Sequence, residues 1–133
     1  MVRGRFTSTG TAKMRGKLAE LRKGMPDEVG RGLFIEMQID ATEAKRRTPV
    51  DTGELRASIH VVGPMRDGRR VWCSIVAGGP AAPYAITVHE DLEAFHKVGQ
   101  AKYIESVIVE SRPYMAARVA KRIDLARAAG GAK

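Results

Sequence analysis

The sequence predicts an α+β domain: a long N-terminal helix and C-terminal helices packed on a small antiparallel β-sheet built around a hairpin. Three observations carry this. Residues 26–47 repeat apolar side chains at helical spacing, the runs 55–62 and 70–77 flank a turn-rich segment, and residues 101–128 return to a helix-forming composition. The 133-residue chain suits one domain with a modest core. That domain is expected over residues 18–129, with 1–17 as a flexible basic arm and 130–133 as a flexible tail.

Residues 1–17 are rich in Gly, Thr, Ser, Arg and Lys and poor in apolar side chains, hence the arm. Residues 18–23 can form one short helical turn. Pro26 suits the first position of a helix, and Asp27 and Glu28 in the first turn favour its dipole. Val29, Leu33, Met37, Ala41 and Ala44 then form a stripe, widened by Phe34, Ile35 and Ile39. Lys45, Arg46 and Arg47 fall in the last turn, where cations are favoured. Pro49 biases Thr48 away from helical geometry, so the helix should stop near Arg47.

Next comes a joint. Asp51 and Thr52 can bond nearby backbone N–H groups, and Gly53 can adopt the positive φ of a sharp reversal. Leu55–Val62 reads as a strand, Gly63 to Arg69 as a turn, and Arg70–Ala77 as the returning strand. Val71, Cys73, Ile75 and Ala77 alternate on one face; Trp72, Ser74 and Val76 occupy the other. Apolar residues on both faces fit packing on the long helix on one side and on a partner subunit on the other. Residues 83–90 read as a short helix or a helix-to-strand segment. Pro113 either splits 101–128 into two helices, with Ser111 as a cap, or kinks one long helix. A small sheet with open edges favours assembly with copies of itself or with neighbours.

Composition narrows the function. Aromatic residues are 5% of the chain, so the core must be mostly aliphatic. No apolar run approaches the roughly 18–20 residues that span a bilayer. The Arg-rich N-terminus lacks the apolar stretch of a secretory signal, although residues 1–17 share the basic, Ser-containing character of organelle presequences. The single cysteine, Cys73, leaves no internal disulfide and no Cys-rich zinc site.

The net charge of +8 is uneven: residues 1–23 hold seven Lys/Arg and one Glu, and residues 112–133 hold six Lys/Arg and one Asp. Basic ends suit phosphate or an acidic protein surface, or simply form solvated faces. Few aromatic residues accompany them, which argues against base stacking on single strands.

Candidate chemistry is sparse. His89-Glu90-Asp91-Leu92-Glu93 lacks the second histidine of the zinc-protease pattern; were 85–96 helical, His89, Glu93 and His96 would share a face able to hold zinc. Cys73 sits mid-strand among apolar neighbours, the setting of an inert thiol. Gly78-Gly79-Pro80 lacks the ending of a phosphate loop. No catalytic arrangement, metal site or cofactor is expected, and the chain reads as a non-enzyme.

From Ala44 to Ile59 the chain reads Ala-x-x-x-x-Pro-Val-Asp-Thr-Gly-x-Leu-Arg-x-Ser-Ile, followed by a hairpin, then Tyr84, Ala85, Val88, His89 and Glu90, then Gly99 and Tyr103-Ile104-Glu105. This ordered set resembles the neck, or tail-completion, family of long-tailed phages, whose members are labelled minor tail or head–tail joining components. The likeness covers about residues 27–125. The stretch 89–103 departs from it: many members have Glu-x-Gly-Thr after the Tyr-Ala segment and open the last helix with Pro-Phe-Leu.

The resemblance implies a structural protein of the virion neck, made in the host cytoplasm. It would join the DNA-filled head to the tail as part of a homo-oligomeric ring around the DNA channel. Its implied partners are portal or adaptor proteins, tail terminator or tail tube proteins, and the channel DNA non-specifically, with no membrane. The assembly candidates are Asp51, Thr52, Gly53, Leu55, Arg56, Tyr84, His89 and Glu90, with Arg3, Arg5, Lys13, Arg15 and Lys17 as a basic arm for protein or DNA contact. Arg56, charged at the start of a strand, could pair with Asp51, Glu54 or a neighbouring subunit. The competing role for the joint is purely structural, fixing the hairpin on the helix. The competing function for the chain is a basic nucleic-acid-binding module.

Overall fold

A computed structural model describes residues 8–49, 53–78 and 102–130. It is α+β as predicted. Helix α1 spans Ser8–Arg47, α2 Glu54–Ser58, β1 His60–Asp67, β2 Arg70–Val76, α3 Tyr103–Ala120 and α4 Leu125–Ala128. The two strands pair antiparallel, and α1 packs against the hairpin, α3 and α4.

Helix α1 has 40 residues and begins at Ser8 rather than Pro26, so residues 8–17 are helical rather than an irregular arm. Between the glycines at 10, 16 and 24 the segment is dense in Ala, Leu, Met, Lys and Arg, all strong helix formers. Pro26 lies inside the helix. A proline there loses one hydrogen bond and crowds the carbonyl four residues back. That carbonyl belongs to exposed Arg22, where water can satisfy it. The far end behaves as expected: α1 stops at Arg47, and Thr48 turns its hydroxyl back to the Ala44 carbonyl at 2.6 Å.

The first strand also starts later than expected. Glu54 to Ser58 form one helical turn, and β1 begins only at His60. Glu-Leu-Arg-Ala is a run of good helix formers, and Gly53, at φ 82°, supplies the reversal that starts the turn. Strand β1 then continues through Gly63-Pro64, residues read from the sequence as turn. The pairs Val62↔Ser74 and Met65↔Trp72 leave one extra residue on β1, a bulge. Proline is tolerated at a bulge, and among the described residues β1 has β2 as its one neighbour. The reversal itself is Gly68-Arg69, between the pair Asp67↔Arg70.

Helix α3 runs unbroken through Pro113, so the kinked-helix alternative is nearer the truth than two helices. The carbonyl it crowds is that of Val109, which is 62% exposed. The break comes instead at residues 121–124, before α4. Gly24 permits α4 to sit down: a Cβ there would lie 1.7 Å from the Ala128 carbonyl oxygen.

The core comprises Ala41, Leu55, Ile59 and Tyr103, with Val61, Ile75, Ala77 and Ile104 packed against it. It is aliphatic except for Tyr103, its largest fully buried side chain. The predicted stripe on α1 is only partly apolar in place. Met37, Ala41 and Ala44 are buried, Val29 and Leu33 are half-buried, and Glu28, Glu36 and Asp40 are buried beside them.

Candidate assembly surfaces

The signature joint is the pivot between α1 and the hairpin. Leu55 points into the core at 4% exposure, where it serves this chain's own packing. The Ser58 hydroxyl donates to the Leu55 carbonyl at 2.6 Å and accepts from the Gly78 N–H at 2.9 Å, tying the joint to the end of β2. Arg56 reaches back along the joint, its Nη2 donating to the Thr48 carbonyl at 3.3 Å. Its Nε is buried without a hydrogen-bond partner among the described residues. A Cβ on Gly53 would meet nothing within 4 Å among the described residues. Asp51 and Thr52, and with them an Arg56–Asp51 pair, lie outside the described residues.

An ionic seam between α1 and the C-terminal helices went unseen in the sequence. Arg118 Nε donates to Glu36 at 2.6 Å, and Arg122 Nε donates to the other oxygen of the same carboxylate. Arg118 also meets Asp40 at 3.3 Å, and Asp40 accepts from the Ser111 hydroxyl at 2.6 Å. Ser111 therefore bridges helices and does not cap one. Glu28 accepts from Arg31 at 2.6 Å and from the Asp124 backbone N–H at 3.0 Å, with Arg127 nearby at 3.8 Å. At the far end Arg47 joins Glu43, Ser106 and Glu110.

Burial pushes the Glu36 carboxyl up, but Arg122 and Arg118 together outweigh it and hold it below its ordinary value. The hydrogen bond from Arg31 does the same for Glu28. Arg46, then Arg47, bring Glu43 down to about 2. Three of the six basic residues of the C-terminal end, Arg118, Arg122 and Arg127, are thus engaged inside the domain. What could have revealed this is spacing: acids at 36 and 40 and arginines at 118 and 122 are both i, i+4 pairs, the acids on one face of α1 and the arginines at and just past the end of α3.

The hairpin has two unlike faces. Val61, Ile75 and Ala77 pack against the core. On the other face Val62, Met65 and Trp72 are 37–38% exposed, with Arg70 over the Trp72 ring at 5.7 Å. Neither strand has a second neighbour among the described residues, and a strand edge without one presents unpaired backbone groups. Cys73 is half-buried, and burial pushes its thiol up, as suits an inert side chain.

Lys13, Arg15 and Lys17 stand exposed on the N-terminal part of α1, on a helix rather than a loose arm. Arg3, Arg5, Tyr84, His89 and Glu90, and the His89/Glu93/His96 face, lie outside the described residues. Among the described residues no group of His, Cys, Asp and Glu could hold a metal ion, and no helix is long and apolar enough to cross a membrane.

Neither the curated proteins nor the solved structures include a match to this chain. A family model described as "Bacteriophage HK97-gp10, putative tail-component" matches residues 12–106, from the exposed part of α1 through the joint and hairpin to the start of α3. That span includes the signature Ala44–Ile59 and Tyr103-Ile104-Glu105, so the chain belongs to the HK97-gp10-like family of phage tail components and is a structural protein of the virion that works against other virion proteins.

Proposed function

We propose that this protein acts at the phage neck, joining the DNA-filled head to the tail as one subunit of a homo-oligomeric ring around the DNA channel. The observation that carries the reading is the open hairpin. A domain with a closed core and an ionic seam nevertheless leaves Val62, Met65 and Trp72 partly exposed, on a sheet whose two edges have no further strand among the described residues. Such a sheet can be extended by a neighbour's strand, and head-to-tail contacts between unlike patches close into rings. The portal or adaptor on one side and the tail terminator or tube on the other are the neighbours this role requires. The DNA-binding alternative is weakened because Arg118, Arg122 and Arg127 are already committed to carboxylates.

Deleting the gene from its phage tests the reading by electron microscopy. DNA-filled heads beside separate, finished tails are expected; intact infectious particles would sink it. A finer test is Met65→Lys. Met65 is 38% exposed, so the variant should fold with a stability change within about 1 kcal/mol. Head–tail joining should nevertheless drop sharply, whereas normal particle yield from a folded variant would remove the outer hairpin face from the interface.

A further inference from the structure

A second apolar surface lies away from the hairpin's outer face. Met14, Leu18, Leu21 and Met25 follow one another on α1 at intervals of 4, 3 and 4 residues, the spacing of a coiled-coil seam. Met14 is 64% and Leu18 57% exposed, so nothing among the described residues covers the start of the stripe. Its inner end opens into a groove of about 510 Å³ walled by Leu18, Leu21, Met25 and Val29 of α1 and by Val71 of β2. From Met14 to Val29 the stripe runs for about 22 Å, or four helical turns.

The rims of this surface are cationic. Arg22 and Arg69 line the groove itself. At 100° per residue, Lys13 and Lys17 fall on one flank of the stripe and Arg15 and Arg22 on the other. None of these five has an ion-pair partner among the described residues, whereas Arg31, Arg47, Arg118 and Arg122 all do.

We infer that this surface docks an amphipathic α-helix of another virion protein, with Leu- or Met-like residues along its seam and Asp or Glu on both flanks. Charge decides the occupant. A second copy laid along the same stripe would set Lys13, Arg15, Lys17 and Arg22 against themselves with only Glu20 to offset them. Like-charge juxtaposition penalises that pairing, and complementary flanks reward an acidic one. The length and seam spacing suit a helix laid in a groove better than a compact ligand. The inference goes beyond the neck reading and does not depend on it, because the surface would serve at any position in the tail.

Methionine methyl resonances test it on the full chain, since Met14 and Met25 mark this surface while Met37 and Met115 line a separate groove beside Cys73. The probes are a designed 18-residue helix with a Leu seam and Glu flanks, and the same helix with Lys flanks. The Glu helix is expected to shift Met14 and Met25 and leave Met37 and Met115 in place; the Lys helix should shift none. Arg22→Glu with Arg69→Glu should weaken the Glu helix roughly tenfold or more and let the Lys helix bind. Unmoved Met37 and Met115 resonances in that variant report an intact fold.

No shift at Met14 and Met25 overturns the proposal, as does equal binding of both helices. Shifts of the same methyls on concentrating the protein alone would assign the surface to a second copy. Equally strong competition by a peptide of residues 88–97, with Glu90, Asp91 and Glu93 beside Leu92 and Phe95, would assign it to this chain's own sequence. Binding to phosphatidylserine vesicles but not to the Glu helix would assign it to an anionic membrane surface. Each of these three outcomes also overturns the foreign partner.

Discussion

Tyr103→Ala is expected to lower the unfolding free energy by about 3–5 kcal/mol, the range for losing a large buried aromatic side chain. The ring is 1% exposed and shares one buried cluster with Ala41 of α1, Leu55 of α2 and Ile59, the residue that leads into β1. It therefore holds three elements to the start of α3 at once, and the cavity cannot close without moving all of them. Native domains have only about 5–15 kcal/mol in hand, so the variant should melt roughly 10–20 °C lower by circular dichroism. Tyr114→Ala on the same helix is the control: Tyr114 is 67% exposed, and its loss should change stability by no more than about 0.5 kcal/mol. A Tyr103→Ala protein that melts within a few degrees of the parent would mean that the core is not organised around this ring. The prediction also bears on the signature. Leu55 shares the cluster, so a Leu55 variant that fails to assemble reports lost folding before it reports a lost contact.

The parts of the fold that were legible are those where local chemistry leaves one answer. Pro49 forbids the helix from continuing far, and α1 does end at Arg47. Strand β2 shows its alternation openly, and it spans Arg70–Val76. Elsewhere local signals competed with tertiary contacts. Pro26 followed by Asp27 and Glu28 has the composition of a helix start. In the structure Glu28 is instead a buried acceptor for Arg31 and for the Asp124 backbone, in mid-helix. Leu55 does point inward, as a strand register would have it, but from a helical turn, because Glu54 to Ala57 prefer helix and Gly53 allows the reversal. The hairpin turn, expected over Gly63 to Arg69, contains the reversal at Gly68-Arg69 but is too long, because Gly63-Pro64 advertises a turn while the strand absorbs it as a bulge. Of the candidate site, Gly53 starts the α2 turn, Leu55 is packed in the core, and Arg56 bonds back to Thr48. That the hairpin carries apolar residues on both faces could be read from alternation alone. The seam could not be read from residue type, since charged residues on an amphipathic helix are ordinarily assigned to solvent.

That seam supports the second large effect. Glu36→Gln keeps the shape of the side chain and removes the charge that Arg118 and Arg122 share. Breaking a buried pair by removing one partner typically costs about 3–5 kcal/mol. Arg118 and Arg122 are 29% and 37% exposed, so water reaches both heads, and about 2–3 kcal/mol is the better expectation here.

The pH dependence fixes the cause. The folded Glu36 carboxyl lies below its ordinary value of 4.5, so its stabilising contribution is present above that value and is lost as pH falls through the folded one. The gap in melting temperature between parent and Glu36→Gln should therefore be widest near neutral pH. It should shrink on acidification below about pH 4.5, because the parent then becomes neutral at the same position. A gap that stays constant with pH would trace the loss to packing rather than charge.

Combining Glu36→Met and Asp40→Leu with Arg118→Met and Arg122→Met separates stability from specificity, since Arg118 also pairs with Asp40 and apolar replacements of whole buried ion pairs are often neutral or better. The fourfold variant is expected to melt above Glu36→Gln. If it also matches the parent, the seam's part is to set the register of α3 against α1, because carboxylates at 36 and 40 accept Arg118 in one alignment only, whereas apolar side chains would tolerate several.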